Sequence, residues 1–452
     1  MKKTKKNSEL VLRIKRTKKK LKRLRLNKKY NSERLNAKRQ FIINYENKVI
    51  SNHKSNLYKF LIDTKFIVGT EEILNNIQIP LCFSLERNYN ETVEVISQIV
   101  FSIWNKVGEK IEIDFSKCNE VDQSALFLLQ ILRLELQNEF EKLGNRLSVL
   151  KATVDINITR STNKEVNLHL FLCGYISDVD VEDGVVPIDT FGYLKGSKQQ
   201  KDYLENKKGI NATRIVKYIN KCLIRNNFML NELGENDITS LIGEILSNAE
   251  DHSPFTTYYV TANYSQNETV NGTGKDIVGQ LNLSFMNFGY SIYQGLEQTK
   301  DKNEDIYNML NDTYDIISKK VPFSKDNLFT LYALQDGISR LKFEDKSRGT
   351  GTMKFINCFF SFGDYENIDK KQSPQLSILS GKTQVICDNK YKPFEEDNIY
   401  FVSLNDQKTL SEPPNKSHLK DLRYSFPGTL LSVRAYLNKD HISSKFEKNG
   451  NN

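Results

Sequence analysis

Glu244, Asn248, Asp251 and His252 recur at helical spacing within NDITSLIGEILSNAEDHS, residues 236–253. Residues three and four apart stack on one face of a helix, so a carboxylate, an amide and an imidazole line up one turn apart. A carboxylate so placed can orient an attacking water and take its proton. An amide oxygen can ligate Mg²⁺, which takes oxygen ligands and keeps waters and phosphates as the remainder. Spacing alone equally fits a solvated polar face, the commoner fate of such a stripe. A second segment, Ser347-Arg348-Gly349-Thr350-Gly351-Thr352, runs into the helix-like MKFINCFF. Glycines that open a helix can present backbone N–H groups to phosphates, aided by the helix dipole; a plain flexible loop is the alternative.

The elements that must position these groups are legible around them. Ile238, Leu241, Ile242, Ile245, Leu246 and Ala249 form one apolar stripe on the first segment, the mark of a helix lying on a core. The preceding ATRIVKYINKCLIRNNF suits a second helix beside it. In QLNLSFMN, Leu281, Leu283 and Phe285 alternate as in a strand, and the chain then turns through Asn287-Phe288-Gly289-Tyr290-Ser291-Ile292. Strand signals recur in QLSILSG, GKTQVICD and Phe426–Val433, the last with Pro427-Gly428-Thr429 at its start.

Taken in order, these segments resemble the GHKL superfamily of gyrase, heat-shock chaperone, histidine-kinase and mismatch-repair ATPases. E-ILS-N-A-ED-H is similar to the E-x-x-x-N-A-x-x-H helix of that family, whose asparagine holds magnesium; the resemblance puts Glu244 as general base, Asn248 on the metal and His252 beside the nucleotide. The turn at Asn287 and Gly289 sits where the family has D-x-G-x-G-[IV], which reads adenine. Asn287 replaces the aspartate and can still accept through its amide oxygen without the charge; Ser291 replaces the second glycine, where close backbone approach is expected. Gly349, Gly351 and Thr352 match the second glycine box, Thr429 the closing G-T box, and the charged, partly helical stretch at about 293–350 the ATP lid. The resemblance, over residues 211–440, implies bound ATP and Mg²⁺.

Ahead of it, residues 57–183 read as an α/β layer. Ile79–Leu85 is expected as a strand, Glu91–Val107 as a helix, Lys110–Phe115 as a strand, and Val121–Leu136 as a helix closed by Gly144. Arg146–Thr159 and Asn167–Leu172 are expected as two further strands. IEIDFSKCNEVDQSALFLL and the later FLCGYI resemble STAS domains, the fold of anti-sigma-factor antagonists. That family's D-S-S-G phosphorylation turn reads Asp122-Gln123-Ser124-Ala125 here, with Gln123 in place of the usual phosphate acceptor and Ser124 compatible with a plain first-turn helix residue. Residues 184–210, with Pro187 and several glycines, read as a linker. The expected fold class is therefore α/β (α+β, two-layer): a STAS-like domain, then a GHKL (Bergerat-type) mixed sheet covered by helices on one face.

Composition bounds the rest. A chain of 452 residues, 38% hydrophobic and 27% charged, suits two globular domains and a tail at roughly 150 residues per domain. The net charge of +9 is uneven: residues 1–40 hold 18 Lys and Arg against Glu9 and Glu33, so this +16 leaves −7 for the remainder. Residues 1–47 read as a basic helical or disordered tail, able to meet nucleic acid, an acidic partner or an anionic membrane; 441–452 read as a disordered tail. The six cysteines are scattered with no C-x-x-C pair, the pattern of reduced, buried thiols. No apolar run nears the ~20 residues of a membrane span, and no secretory signal follows the basic start, so the expected location is cytoplasmic. The expected function is an ATP/Mg-binding regulatory switch for a protein partner, with ATP hydrolysis or protein-serine kinase activity open and a homo-oligomer compatible. The alternatives are a non-catalytic scaffold on a degenerate ATPase fold, or a nucleic-acid-associated protein using its tail.

Overall fold

A computed structural model describes residues 74–105, 110–147, 155–178, 185–197, 207–225, 228–251, 257–271, 274–336, 338, 351–363, 374–396 and 399–437, together with Lys19, Lys22 and Arg23. The chain divides into two compact units, Met1–Tyr58 and Lys59–Asn452. In the first, the three described residues are helical and exposed; the rest of the 1–47 tail, and all of 441–452, lie outside the described residues. The second is a mixed α/β assembly. Among its described residues no helix is long and apolar enough to cross a membrane.

Its N-terminal layer is built from short parallel strands and helices. β1 (Asn76–Gln78), β3 (Lys110–Asp114) and β5 (Asp155–Thr159) pair in the order β1-β3-β5, while β2 (Cys82–Phe83) pairs with β4 (Glu120–Val121). The alternation of Lys110–Asp114 emerges as expected, with Ile111 and Ile113 fully buried. Helices α1 (Tyr89–Asn105), α2 (Gln123–Leu147) and α3 (Lys164–Leu172) cover the strands. Four expectations fail here wholly or in part. Ile79–Leu85 is not one strand, since only Cys82–Phe83 of it is, as β2. Arg146 and Leu147, expected to open a strand running to Thr159, belong to α2, and of that stretch Asp155–Thr159 is the strand. Gly144 lies inside α2 rather than ending it. Asn167–Leu172 belongs to α3 and is not a strand: Asn163 caps the helix by accepting from Glu165 N, and Val166 and Leu170 bury at helical spacing.

The centre of the unit is a five-stranded sheet, order β6-β7-β8-β12-β9, made of β6 (Val185–Ser197), β7 (Thr257–Asn271), β8 (Gly274–Phe288), β9 (Gln375–Cys387) and β12 (Leu419–Leu437), while β10 (Phe394–Glu396) and β11 (Ile399–Phe401) pair separately. Every pairing in it is antiparallel, not mixed as expected. Neighbours joined by tight connections, such as β7 and β8 at Asn271 and Gly274, can only run antiparallel. QLSILSG and GKTQVICD form one continuous strand, β9. Most of the 184–210 stretch expected as linker is structured: 185–197 is the edge strand β6. Pro187 is tolerated because an edge strand needs partners on one side only, and register shifts beside Pro187 and Gly192 absorb the irregularity.

Strand alternation gives this sheet two differently used faces. One face, with Val260, Ala262, Leu281, Leu283, Phe285, Leu376 and Ile378, packs into a single core with helices α4 (Lys207–Arg225), α5 (Glu232–Asp251), α6 (Ile292–Gln298), α7 (Glu304–Lys320), α8 (Lys325–Ala333) and α9 (Gly351–Gly363). Ile238, Ile242, Ile245 and Leu246 of α5 are buried there, as their spacing predicts. Of the stretch at about 293–350 expected as a lid, α6 to α8 are part of this layer; Leu328 and Phe329 of α8 are fully buried, which ties them to the sheet. Residues 339–350 lie outside the described residues. The opposite face meets the N-terminal layer through polar contacts. Tyr259 and Lys195 donate to Glu135 at 2.9 and 2.6 Å, Ser124 and Ser432 hydroxyls pair at 2.6 Å, and Gln384 donates to the Glu86 carbonyl at 2.9 Å. Ser124 is thereby sealed at 3% exposure.

Candidate functional site

Helix α5, the first turn of α9, the end of β8 and the middle of β12 meet around a cleft of about 970 Å³, its open mouth included. Glu244 and Asn248 project from α5, one turn apart, and Gly351 and Thr352 supply the opposite wall. The two helices meet so closely that a Cβ on residue 351 would stand 1.9 Å from Glu244 Cγ. Only glycine permits that approach. Asn248 donates its amide nitrogen toward Thr352 Oγ1 at 3.4 Å, which turns its carbonyl oxygen away from that contact. The first N–H groups of α9 have no intrahelical acceptors, so this end of the cleft combines a carboxylate, an amide oxygen and a helix N-terminus.

The other end is apolar with one buried amide. Asn287 is 3% exposed and pairs across the sheet with Thr429 on one side and Tyr258 on the other. Its Nδ2 has no hydrogen-bond partner among the described residues, an expense of about 1–3 kcal/mol for a buried polar group. Thr429 Oγ1 shares a hydrogen with Ser380 Oγ at 2.9 Å, and Ile292 N donates to the same Ser380 Oγ at 2.8 Å. Ser380 on β9 thus links β12 to the start of α6. Sequence reasoning missed it, since a serine in an alternating strand carries no distinguishing signal. Ile292, Leu296, Leu334, Ile338, Ile378 and Leu431 complete this end; they too were invisible in advance, because apolar residues there look like ordinary core.

The turn between β8 and α6 differs from its expected form. Gly289 is not among the lining residues: its N–H donates to the Pro427 carbonyl at 3.1 Å. That contact rests on Gly428, whose φ of +147° and 2.0 Å approach of a hypothetical Cβ to the Asn287 carbonyl exclude a side chain. Ser291 does not take up a glycine's place beside a ligand. It begins α6, accepting from Gln294 N at 3.1 Å while its own N–H donates to Gln294 Oε1 at 3.0 Å, a reciprocal capping box. With φ at −66°, nothing there calls for glycine.

Of the residues singled out in the sequence, Glu244, Asn248, Asn287, Gly351, Thr352 and Thr429 line this one cleft. His252 and Gly349 lie outside the described residues. No protein-family model, no curated protein and no solved structure matches this chain.

Proposed function

We propose that this protein binds ATP with Mg²⁺ in a GHKL-type site, on a chain whose N-terminal layer is STAS-like, and acts as a nucleotide-controlled switch for a protein partner. One observation carries the reading: segments far apart in the chain, each resembling one box of that family, contribute to the walls of a single cleft. The residues suit the cofactor at both ends. Asn287 offers a donor and an acceptor side by side, the pair with which asparagine reads adenine, and its Nδ2 is otherwise unpartnered. Asn248 offers an amide oxygen suited to Mg²⁺, which needs few protein ligands when phosphates and waters complete its shell. Among the described residues no group of three or more His, Cys, Asp or Glu could hold a metal, so the cation would arrive with the nucleotide.

Bound magnesium would neutralise phosphate charge. The chain's own part is to hold the phosphates at the first turn of α9, to keep the base between Ile292, Leu296 and Ile378, and to take a proton on Glu244 from a water or a protein hydroxyl.

The test is a titration of the full chain with Mg·ATP, followed by assays of phosphate release and of label transferred to protein. Saturable binding that Asn248→Ala weakens supports the reading. Turnover lost in Glu244→Ala with binding retained identifies an ATPase, and label on protein a kinase. No binding at millimolar Mg·ATP sinks the nucleotide reading and leaves a non-catalytic scaffold.

A further inference from the structure

A second cavity, of about 1010 Å³ with its mouth, lies on the other face of the same sheet, between β8, β12 and the N-terminal layer. Its wall is almost wholly hydrophilic, which is costly inside a protein unless each group is satisfied. Most of its charges are already engaged. Arg87 pairs with Glu120 at 2.6 Å. Asp122 accepts from Ala125 N, Ser84 Oγ and Glu86 N, capping α2. Glu86 faces Arg434 at 3.8 Å.

Four groups on the wall stay unengaged among the described residues. Gln123 is 6% exposed, and neither its amide oxygen nor its amide nitrogen has a partner. Arg434 Nε and His169 Nδ1 also lack partners. Burial and the Arg434 charge push His169 down to about 4, so it is neutral at pH 7 and adds no positive charge. Glu165, exposed at the rim on the first turn of α3, carries no ion pair. Among the described residues the cavity therefore presents one guanidinium Nε and one side-chain amide without partners, and at its rim one carboxylate without an ion pair.

We propose that this cavity is a binding site for a small zwitterion of the α-amino-acid class, its carboxylate taken by Arg434 and Gln123 and its ammonium by Glu165. A free anion would meet four carboxylates against two guanidinium groups; a polyamine would leave Arg434 Nε and Gln123 without an acceptor. The wall carries one phenol ring, that of Tyr436, whose hydroxyl is hydrogen-bonded with Arg434. The proposal stands independently of the nucleotide reading, since it concerns the opposite face of the sheet.

The test is a thermal-shift screen of the full chain against the twenty α-amino acids singly, with glucose and spermidine as other chemical classes, followed by calorimetric titration of any compound that raises the unfolding temperature. At least one amino acid raises it by a few degrees when present far above its Kd. Arg434→Met abolishes that shift, and Glu165→Gln weakens affinity about tenfold, the loss of one charged hydrogen-bonded contact. Should Arg434→Met fail to fold, Glu165→Gln decides, because an exposed rim residue is replaceable without unfolding. No shift with any amino acid overturns the proposal, as does stabilisation by glucose or spermidine alone. Full affinity in Glu165→Gln, or an undiminished shift in folded Arg434→Met, overturns it as well.

Discussion

Gly351 lies against Glu244 with no room for a side chain between them: a single added methyl at 351 would stand 1.9 Å from Glu244 Cγ. A glycine of the α9 first turn and a carboxylate of α5 thus share one space, and the shape of the cleft depends on both. Gly351→Ala is expected to rotate Glu244 rather than unfold the chain, since the obstructing atom belongs to a flexible side chain. Overpacking of this kind costs about 1–3 kcal/mol. Thermal unfolding should show a modest loss, while Mg·ATP titration shows affinity down by an order of magnitude or more. Unchanged nucleotide affinity in this variant would separate the α5–α9 junction from the proposed site.

Asn287→Leu should separate stability from binding. The buried Nδ2 lacks a partner, so replacing the amide by an apolar group of similar size removes a penalty of about 1–3 kcal/mol. Unfolding by denaturant is expected at the same or higher midpoint, with Mg·ATP binding weakened about tenfold or more. A large loss of stability instead would mean that the amide is structurally engaged.

Two buried groups in the second cavity titrate against each other. His169 is pushed down to about 4 by burial and by Arg434. Because the unfolded chain binds that proton more readily, its contribution is full above about pH 6.5 and is lost as pH falls toward 4. Glu86 is pushed up to about 7 by burial, so the folded state holds its proton more tightly; its stabilising share is full below about pH 4.5 and fades as pH rises through 7. Over the shared window the slopes oppose. Glu86→Gln should therefore make stability fall on acidification from pH 6.5, and His169→Asn should make it rise, each by an amount on the order of 1–3 kcal/mol. Chemical denaturation across pH 4.5–7.5 reads both signs; parallel profiles in the two variants would refute the assignment.

The tail makes a separable prediction. With 18 Lys and Arg in residues 1–40, the full chain should bind duplex DNA or another polyanion at low salt, with affinity falling steeply as salt rises through counterion release. Deletion of residues 1–47 should abolish this and leave Mg·ATP binding unchanged. Polyanion binding that survives deletion would assign the attraction to the folded unit.

How far these features were readable varies with the physics behind each. The α5 stripe and its polar face were legible because a 3.6-residue period records which side meets a core, and the buried residues of α5 follow it. Strand β8 was legible from alternation. Asn167–Leu172 of α3 was misread as a strand: NLHLFL is short and alternates polar with apolar residues at its start, so it fits either period, and the Asn163 cap decides it. β6 was hidden behind Pro187 and Gly192, which mimic a linker yet suit an edge strand. Ser291 was read by its place in a motif, whereas a capping box with Gln294 explains it.

The sequence by itself determined the local chemistry: a carboxylate and an amide one turn apart on a helix, a glycine opening another, and a charge balance of +16 confined to residues 1–40. Those are properties of neighbouring residues and survive without knowledge of the fold. Tertiary structure alone decided that Glu244, Asn287, Gly351 and Thr429 share one cleft, and that Gln123, His169 and Arg434 share another across the same sheet. Both depend on long-range pairing, in which alternate residues of β8 and β12 point to opposite faces, and no local spacing encodes which partner each face will meet.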